Sequence, residues 1–267
     1  IERGPPIMFA ITREGVSVSA VSAALSLAEY SGSRILVIHV PDGGTEADMK
    51  AFDRTIERMS AEAEIPCGFV DLESSGAKRR GRRPAGRLLK ELAERTRTET
   101  VVVPVDADLF ERRNLGRVAS WIGSLEGLRV LLVRGSSRPG EASPRLRRIL
   151  IPVLDEFRPD PFDVAASLTA SSTFPAVDVV AAKIIKVPPI VPLYSTYRPE
   201  SLIDQERELS FLKALRARPI LRLLTPKILM VRDIGRDLVE FASEREVDAI
   251  IMPGRWGTAR GGILTKD

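Results

Sequence analysis

The sequence predicts an α/β fold with two doubly wound, mostly parallel sheets, one in each half of the chain. Short apolar runs of strand length alternate with amphipathic segments of helix length, which is typical of βαβ units. The same order of segments occurs twice, and a stretch rich in Ser, Pro, Gly and Arg separates the two copies. With 267 residues, 44% of them hydrophobic, the chain is long enough to bury a substantial core.

In the first copy, strands and helices are expected to alternate from residue 6 onward. The predicted strands are "PIMFAIT", "SRILVIHV", "CGFVDLE", "ETVVVPV" and "LRVLLVR". The predicted helices follow the first strand, span Ala47 to Ala63, and include "AGRLLKELAERT" and "NLGRVASWIG". Right-handed crossovers should place helices on both faces of this sheet.

The second copy repeats this order as far as a fourth strand. Its predicted strands are "RILIPVLD", "AVDVVAAKIIKV", "KILMVRD" and "DAIIMPG". Its predicted helices follow the first strand, span Glu200 to Arg216, and include "GRDLVEFASERE". Because the sequence stops at Asp267 just after a glycine turn, the second sheet is expected to lack its last helix and strand. The sheet edge left there would be covered by a further segment or by something else.

The segment from Arg134 to Arg147 has no apolar period and is predicted to be the linker. We place the boundary so that residues 1–140 form the first half and residues 141–267 the second half. Both halves are expected to be soluble as given, since no apolar stretch has the length of a membrane-spanning helix.

Composition excludes several classes of function. One histidine and one cysteine, His39 and Cys67, cannot supply a disulfide framework or a Cys/His zinc site, and no metal is expected. A net charge of +4 is too small and too dispersed to indicate nucleic-acid binding. No catalytic triad, paired carboxylates or metal-spaced cluster stands in the sequence, so an enzyme is not expected.

Several blocks together are similar to the universal stress protein fold, present twice. They are the strand ending "LVIHV", the block "LVEFASEREVDAIIM" before the glycine turn, and the ending "LGRVASWI…LRVLLVR". In the nucleotide-binding members of that family, an acidic residue ends the first strand. A loop of the form Gly-x-x-Gly, nine residues, then Gly-Ser or Gly-Thr receives the phosphates. Glycines and a helix N-terminus suit this role because their N–H groups can approach an anion closely.

The second half matches part of this pattern. Asp155 ends the first strand, and Gly254 and Gly257 form the Gly-x-x-Gly, so the resemblance implies ATP or AMP binding at these three residues as one alternative. The sequence ends before the late glycine, and Trp256 is bulky for a turn around phosphate. The other interpretation is that Asp155 caps a turn and that the glycines serve only the chain reversal.

The first half departs from the pattern. Thr12 stands where the acidic residue would be, and counting back from Gly116 puts Val103 and Asp106 at the glycine positions. A β-branched side chain and a carboxylate both oppose close approach of a phosphate. We therefore expect no ATP site in the first half.

Degenerate domains of this kind resemble the paired cytosolic domains of cation–chloride cotransporters and related amino-acid permeases. The segment "KIIKVPPIVPLYSTYRPE" is similar to an extended proline-rich stretch of those domains. The resemblance implies a non-enzymatic regulatory domain at the cytoplasmic face of the membrane, with no cofactor. It also implies a homodimer that contacts the membrane domain of the same transporter polypeptide. A free-standing tandem universal stress protein is the alternative, and a slow nucleotide hydrolase is a third.

Four further features allow two interpretations each. His39 is expected to be an ordinary strand-end histidine rather than a catalytic base, and Cys67 a buried small side chain. The basic cluster Lys78, Arg79, Arg80, Arg82 and Arg83 is a solvated loop or a contact with anionic lipid headgroups. The proline-rich stretch from Lys186 to Pro199 is a stiff crossover or an arm that anchors on a neighbour through Tyr194 and Tyr197.

Overall fold

The computed structural model describes the chain in separate stretches. The described residues are 4–11, 17–40, 46–71, 85–105, 125, 127–135, 146–154, 160–174, 176–187, 211, 213 and 224–253. The proposed boundary at residue 140, most of the predicted helix Glu200 to Arg216 and the predicted helix before β5 lie outside these residues.

Nine strands and five helices are described. The strands are β1 (Ile7–Ile11), β2 (Ile35–His39), β3 (Cys67–Asp71), β4 (Thr100–Val105), β5 (Arg129–Arg134), β6 (Arg148–Val153), β7 (Asp178–Lys186), β8 (Leu224–Val231) and β9 (Ala249–Met252). The helices are α1 (Val18–Ser31), α2 (Glu46–Glu62), α3 (Ala85–Thr96), α4 (Asp160–Ala170) and α5 (Ile234–Glu244).

The strands form one sheet in the order β3-β2-β1-β4-β5-β9-β6-β7-β8. All neighbouring pairs are parallel except β5 and β9, which run antiparallel with Val130 opposite Met252 and Val133 opposite Ala249. The predicted class, α/β with a mostly parallel sheet, is confirmed. The structure differs from the prediction in one respect. Instead of two separate sheets it has one, because the β5–β9 pairing joins the strands of the two halves edge to edge.

The pairing of β9 also bears on the sheet edge that was expected to be uncovered in the second half. β9 is the fourth strand of the second half, and it lies between β6 and the last strand of the first half. Its backbone groups therefore pair on both sides, which removes the unpaired edge expected from the sequence.

Helices cover both faces of the sheet. α1, α2 and α4 contribute to the hydrophobic core on one face, and α3 and α5 contribute to the core on the other face. Both cores contain residues of the first and the second half, including Phe9 and Phe162 on one face and Val103 and Ile250 on the other. The halves thus share their cores rather than enclosing one each.

Local signals in the sequence explain where the helices begin and end. The hydroxyl of Ser17 accepts a hydrogen bond from the N–H of Ala20 at 3.0 Å and caps the start of α1. Gly32 ends α1 with φ of +61°, a left-handed conformation that glycine adopts without steric cost. Asp233 caps α5 by accepting a hydrogen bond from the N–H of Arg236 at 2.9 Å.

Candidate functional site

The most favourable position for a ligand in the second half is the crevice where the strand order reverses. β6 connects onward to β7 on one side, while β9 pairs with β6 on the other side through Ile149–Ala249 and Leu150–Ile250. Ligands of open α/β sheets bind beyond the carboxyl ends of the strands at such a reversal.

Two of the three predicted ligand residues follow directly from these strand ends. Asp155 comes next after Leu154, which follows β6, and Gly254 comes next after Pro253, which follows β9. Because β6 and β9 are parallel neighbours, their carboxyl ends at Val153 and Met252 lie at the same edge of the sheet. Asp155, Gly254 and Gly257 themselves lie outside the described residues.

Lys183 adds a positive charge at this edge. It pairs with Val153 across the β6–β7 ladder, and its Nζ donates a hydrogen bond to the carbonyl of Leu154 at 2.7 Å. Lys183 was not among the predicted site residues, although a lysine that interrupts the apolar run "VVAAKIIK" is a visible signal. The ammonium group holds the backbone immediately before Asp155 and makes the local potential more positive.

The first turn of α4 has the opposite charge. Asp160 and Asp163 both lie in the first turn of this helix, which follows the β6 end of the crevice. Carboxylates at a helix N-terminus interact favourably with the helix dipole. They also oppose a phosphate there, so an anion would have to bind on the β9 side of the crevice.

In the first half the strand order reverses between β1 and β4, and each of these strands continues its ladder with its outer neighbour to its carboxyl end. The carbonyl of Ile11 at the end of β1 accepts a hydrogen bond from the N–H of Val40 at 2.9 Å. The carbonyl of Val105 at the end of β4 accepts one from the N–H of Gly135 at 2.6 Å. Val103 is fully buried inside β4 opposite Leu132, so it does not lie in a loop. Thr12, Asp106 and Gly116 are outside the described residues.

His39 has a carboxylate partner that the sequence pattern did not reveal. It ends β2 with 9% of its surface exposed, and its Nε2 lies 2.8 Å from Oδ1 of Asp53 in α2. Helical spacing was the signal that could have revealed Asp53. Ile56, three residues after Asp53, packs into the core, so this side of α2 faces the sheet. The pair joins the end of a strand to a helix.

Cys67 begins β3 and is half-buried. Burial raises the pKa of its thiol, and the negative charges of Glu57 and Asp53 act in the same direction. The thiol therefore stays protonated near neutral pH and is a poor nucleophile, as expected for a packing residue.

A cleft of about 240 Å³ lies at the amino ends of β1, β4 and β5, between α1 and α4. Its lining includes Pro6, Tyr30 and Asp163, together with Arg129 and Glu99, which form an ion pair at 2.7 Å. The cleft is on the same side of the sheet junction as the second-half crevice, but none of its lining residues was predicted to bind a ligand.

The remaining predicted contacts are not described. Lys78, Arg79, Arg80, Arg82 and Arg83 lie outside the described residues, and so do Tyr194 and Tyr197. Within the described ranges, no three His, Cys, Asp or Glu side chains stand close enough together to hold a metal ion. None of the helices in these ranges is both long and apolar enough to cross a membrane.

Comparison with known proteins identifies the fold. No protein-family model and no curated protein matches the sequence. Among solved structures, a protein from Pseudomonas aeruginosa UCBPP-PA14 assigned to the universal stress proteins is 12% identical with a TM-score of 0.52, over 97% of this chain and 86% of that one. A protein of unknown function from Pseudomonas aeruginosa PAO1 is 12% identical with a TM-score of 0.50, over 97% and 86% of the two chains.

The cytoplasmic domain of a prokaryotic cation chloride cotransporter is 10% identical with a TM-score of 0.49, over 93% of this chain and 95% of that one. Identities this low bear on fold alone. The structure from Pseudomonas aeruginosa UCBPP-PA14 shows that the chain has a universal stress protein-like α/β fold, as the sequence predicted.

Proposed function

We propose that the chain is a non-enzymatic regulatory and dimerisation domain that acts at the cytoplasmic face of a membrane secondary transporter. The observation that supports the non-enzymatic part is the position of Val103 in the first half. The phosphate loop of the family would have a glycine there, but Val103 is fully buried within β4 opposite Leu132, and a β-branched side chain opposes close approach of a phosphate.

The junction between the halves supports a mechanical role. β5 pairs with β9, and a hydrogen bond of 2.9 Å joins the hydroxyl of Ser26 in α1 to that of Ser171, the residue directly after α4. Both halves would then move together as one body. Docking of such a body against a transporter biases the transporter's conformational equilibrium if the contacts differ between its two states.

The transporter context rests on the sequence resemblance, in particular on the segment from Lys186 to Pro199. Its first test is the open reading frame that contains this chain. Transmembrane helices encoded in the same frame are the expected result, and a frame without them overturns the transporter assignment.

The second test measures transport by the full-length protein in proteoliposomes, with and without residues 1–267. The proposal expects the substrate flux to change when the domain is removed while the amount of folded membrane protein stays the same. An unchanged flux contradicts a regulatory role.

A second candidate function is ATP or AMP binding by the second half. It is favoured by the strand reversal that brings the carboxyl ends of β6 and β9 to one edge of the sheet, where Lys183 contacts the carbonyl of Leu154. On this alternative, the chain is a free-standing tandem universal stress protein.

The two candidates predict different calorimetric titrations with ATP and AMP, each with and without Mg²⁺. The regulatory proposal predicts no binding heat up to millimolar nucleotide. In the first half, Val103 and Asp106 stand at positions that require glycine, and in the second half, carboxylates occupy the first turn of α4. Micromolar binding that the double variant Asp155→Ala, Gly257→Val abolishes would establish the alternative. Thr12→Ala, at the corresponding position of the first half, is the matched control and should leave any such binding unchanged.

A further inference from the structure

The nine-stranded sheet has two outer edges, formed by β3 and β8. In a parallel sheet, the N–H and C=O of one residue point to the same side, and those of the next residue point to the other side. Because the N–H of Ile35 donates a hydrogen bond to the carbonyl of Pro66, the backbone groups of residues 66, 68 and 70 point toward β2. Cys67 and Phe69 therefore point their backbone groups outward.

The same reasoning applied to β8 shows a protected edge. The carbonyl of Val231 accepts a hydrogen bond from Val187, so residues 225, 227, 229 and 231 face β7, and residues 226 and 228 face outward. Pro226 has no N–H to offer at its outward position, and the neighbouring Lys227 is exposed. Proline and lysine on an edge strand oppose the pairing of a further strand.

The β3 edge has neither kind of protection. Its sequence "CGFVD" contains no proline and no lysine. Phe69, at its centre, is one of the large hydrophobic side chains that remain exposed, at 37%. No described residue outside β2 pairs with the backbone of β3. An open, apolar edge of this kind is a template for another strand.

We propose that this edge pairs with the β3 edge of a second copy of the chain, antiparallel and about a two-fold axis through Phe69. The centre of the strand determines this geometry. Phe69 points both of its backbone groups outward, so it can exchange two N–H···O=C bonds with the second copy's Phe69 as a hydrogen-bonded pair. Cys67 then lies opposite Asp71 of the second copy, and the other outward groups also find partners.

α2 covers the sheet next to β3, and a two-fold axis perpendicular to the sheet places it antiparallel to its own counterpart. Over its full length this helix has three basic residues (Lys50, Arg54, Arg58) and five acidic ones (Glu46, Asp48, Asp53, Glu57, Glu62). Both signs of charge are therefore present on each of the two helices.

This inference deepens the dimerisation part of the proposed function, and substitutions on the two edges test it. Sedimentation equilibrium compares the wild-type chain with Phe69→Lys and with Ile228→Lys. The two positions are a matched pair, because Ile228 is exposed to 39%, has outward backbone groups and lies in the opposite edge strand. Circular dichroism and thermal melting confirm that both variants fold.

The expected result is a wild-type dimer, a dissociation constant raised by about tenfold or more in Phe69→Lys, and no change in Ile228→Lys. A dimer that Phe69→Lys leaves intact overturns the β3 interface while the dimerisation part of the proposed function stands. A monomeric wild-type chain overturns both the interface and dimerisation, while the flux experiment still decides the regulatory role separately.

Cross-linking locates the axis without introducing a charge. In a Cys67→Ser background, Phe69→Cys should form a reducible covalent dimer, because opposite Cα atoms of a hydrogen-bonded antiparallel pair are about 5.5 Å apart, within disulfide range. Ile228→Cys in the same background should remain a monomer on non-reducing gels. Equal cross-linking at both positions, or none at position 69, contradicts the proposed axis.

Discussion

At the residue scale, single polar contacts attach helices to the sheet. The clearest example is the contact between His39 at the end of β2 and Asp53 of α2, at 2.8 Å. Both side chains are largely withdrawn from solvent, with relative exposures of 11% and 28%. A hydrogen bond in such a place contributes more than an exposed ion pair, since loss of one partner leaves the other desolvated.

Asp53→Ala should therefore lower the free energy of unfolding by about 1–2 kcal/mol, measured by urea denaturation. Arg58→Ala on the same helix is the control, because Arg58 and its partner Glu62 are each 70% exposed and 3.9 Å apart. That substitution should change the stability by less than about 0.5 kcal/mol. Equal losses of unfolding free energy in the two variants would show that the His39–Asp53 contact stabilises the fold no more than the exposed ion pair does.

At the element scale, the turn between α5 and β9 positions the first strand of the second half. The Oδ2 atom of Asp248 accepts hydrogen bonds from the backbone N–H groups of Arg147 at 2.7 Å and Arg148 at 3.0 Å. The guanidinium of Arg148 in turn donates to Asp178 at the start of β7. The starts of β9, β6 and β7 are thus held together by side chains as well as by the ladder.

Replacing Asp248 tests this arrangement. Asp248→Ala leaves two backbone donors without their acceptor and should cost about 1–2 kcal/mol of stability, measured by urea denaturation. Asp248→Asn keeps an acceptor oxygen in nearly the same position and should lose less than half of that amount. If the two variants are equally destabilised, the negative charge rather than the hydrogen-bond geometry is responsible.

At the scale of the whole molecule, the two halves share one sheet and both hydrophobic cores. Residues of the first and second half pack in the same buried clusters on each face. Separation of the halves would expose these surfaces and break the β5–β9 ladder. Local unfolding of one half therefore also destabilises the other half.

Unfolding of the chain should accordingly be a single cooperative transition. The sequence has two tryptophans, Trp121 in the first half and Trp256 in the second. Fluorescence of the single-tryptophan variants Trp121→Phe and Trp256→Phe should report the same urea midpoint as circular dichroism, corrected for the stability of each variant. Two separated midpoints would mean that the halves fold as independent domains.

Strand and helix positions were predictable to within a few residues because their signals are local. α3 was predicted with its exact bounds, and β6 begins at Arg148 as expected. That the first half has no ATP site, from Val103 and Asp106 at positions that require glycine, stays a prediction. Lys183 and Asp53 were missed, because their importance depends on the neighbouring strand or helix that they contact.

The sequence by itself determined the α/β class and the repeated order of strands and helices. These properties follow from apolar periodicity, which acts locally. Only the tertiary structure decided that the halves share one sheet and that β9 is paired on both sides. It also decided that, among the described residues, β3 pairs only with β2 and β8 only with β7. Strand partners distant in sequence are selected by packing and backbone hydrogen bonding in the folded chain, and no local pattern specifies that selection.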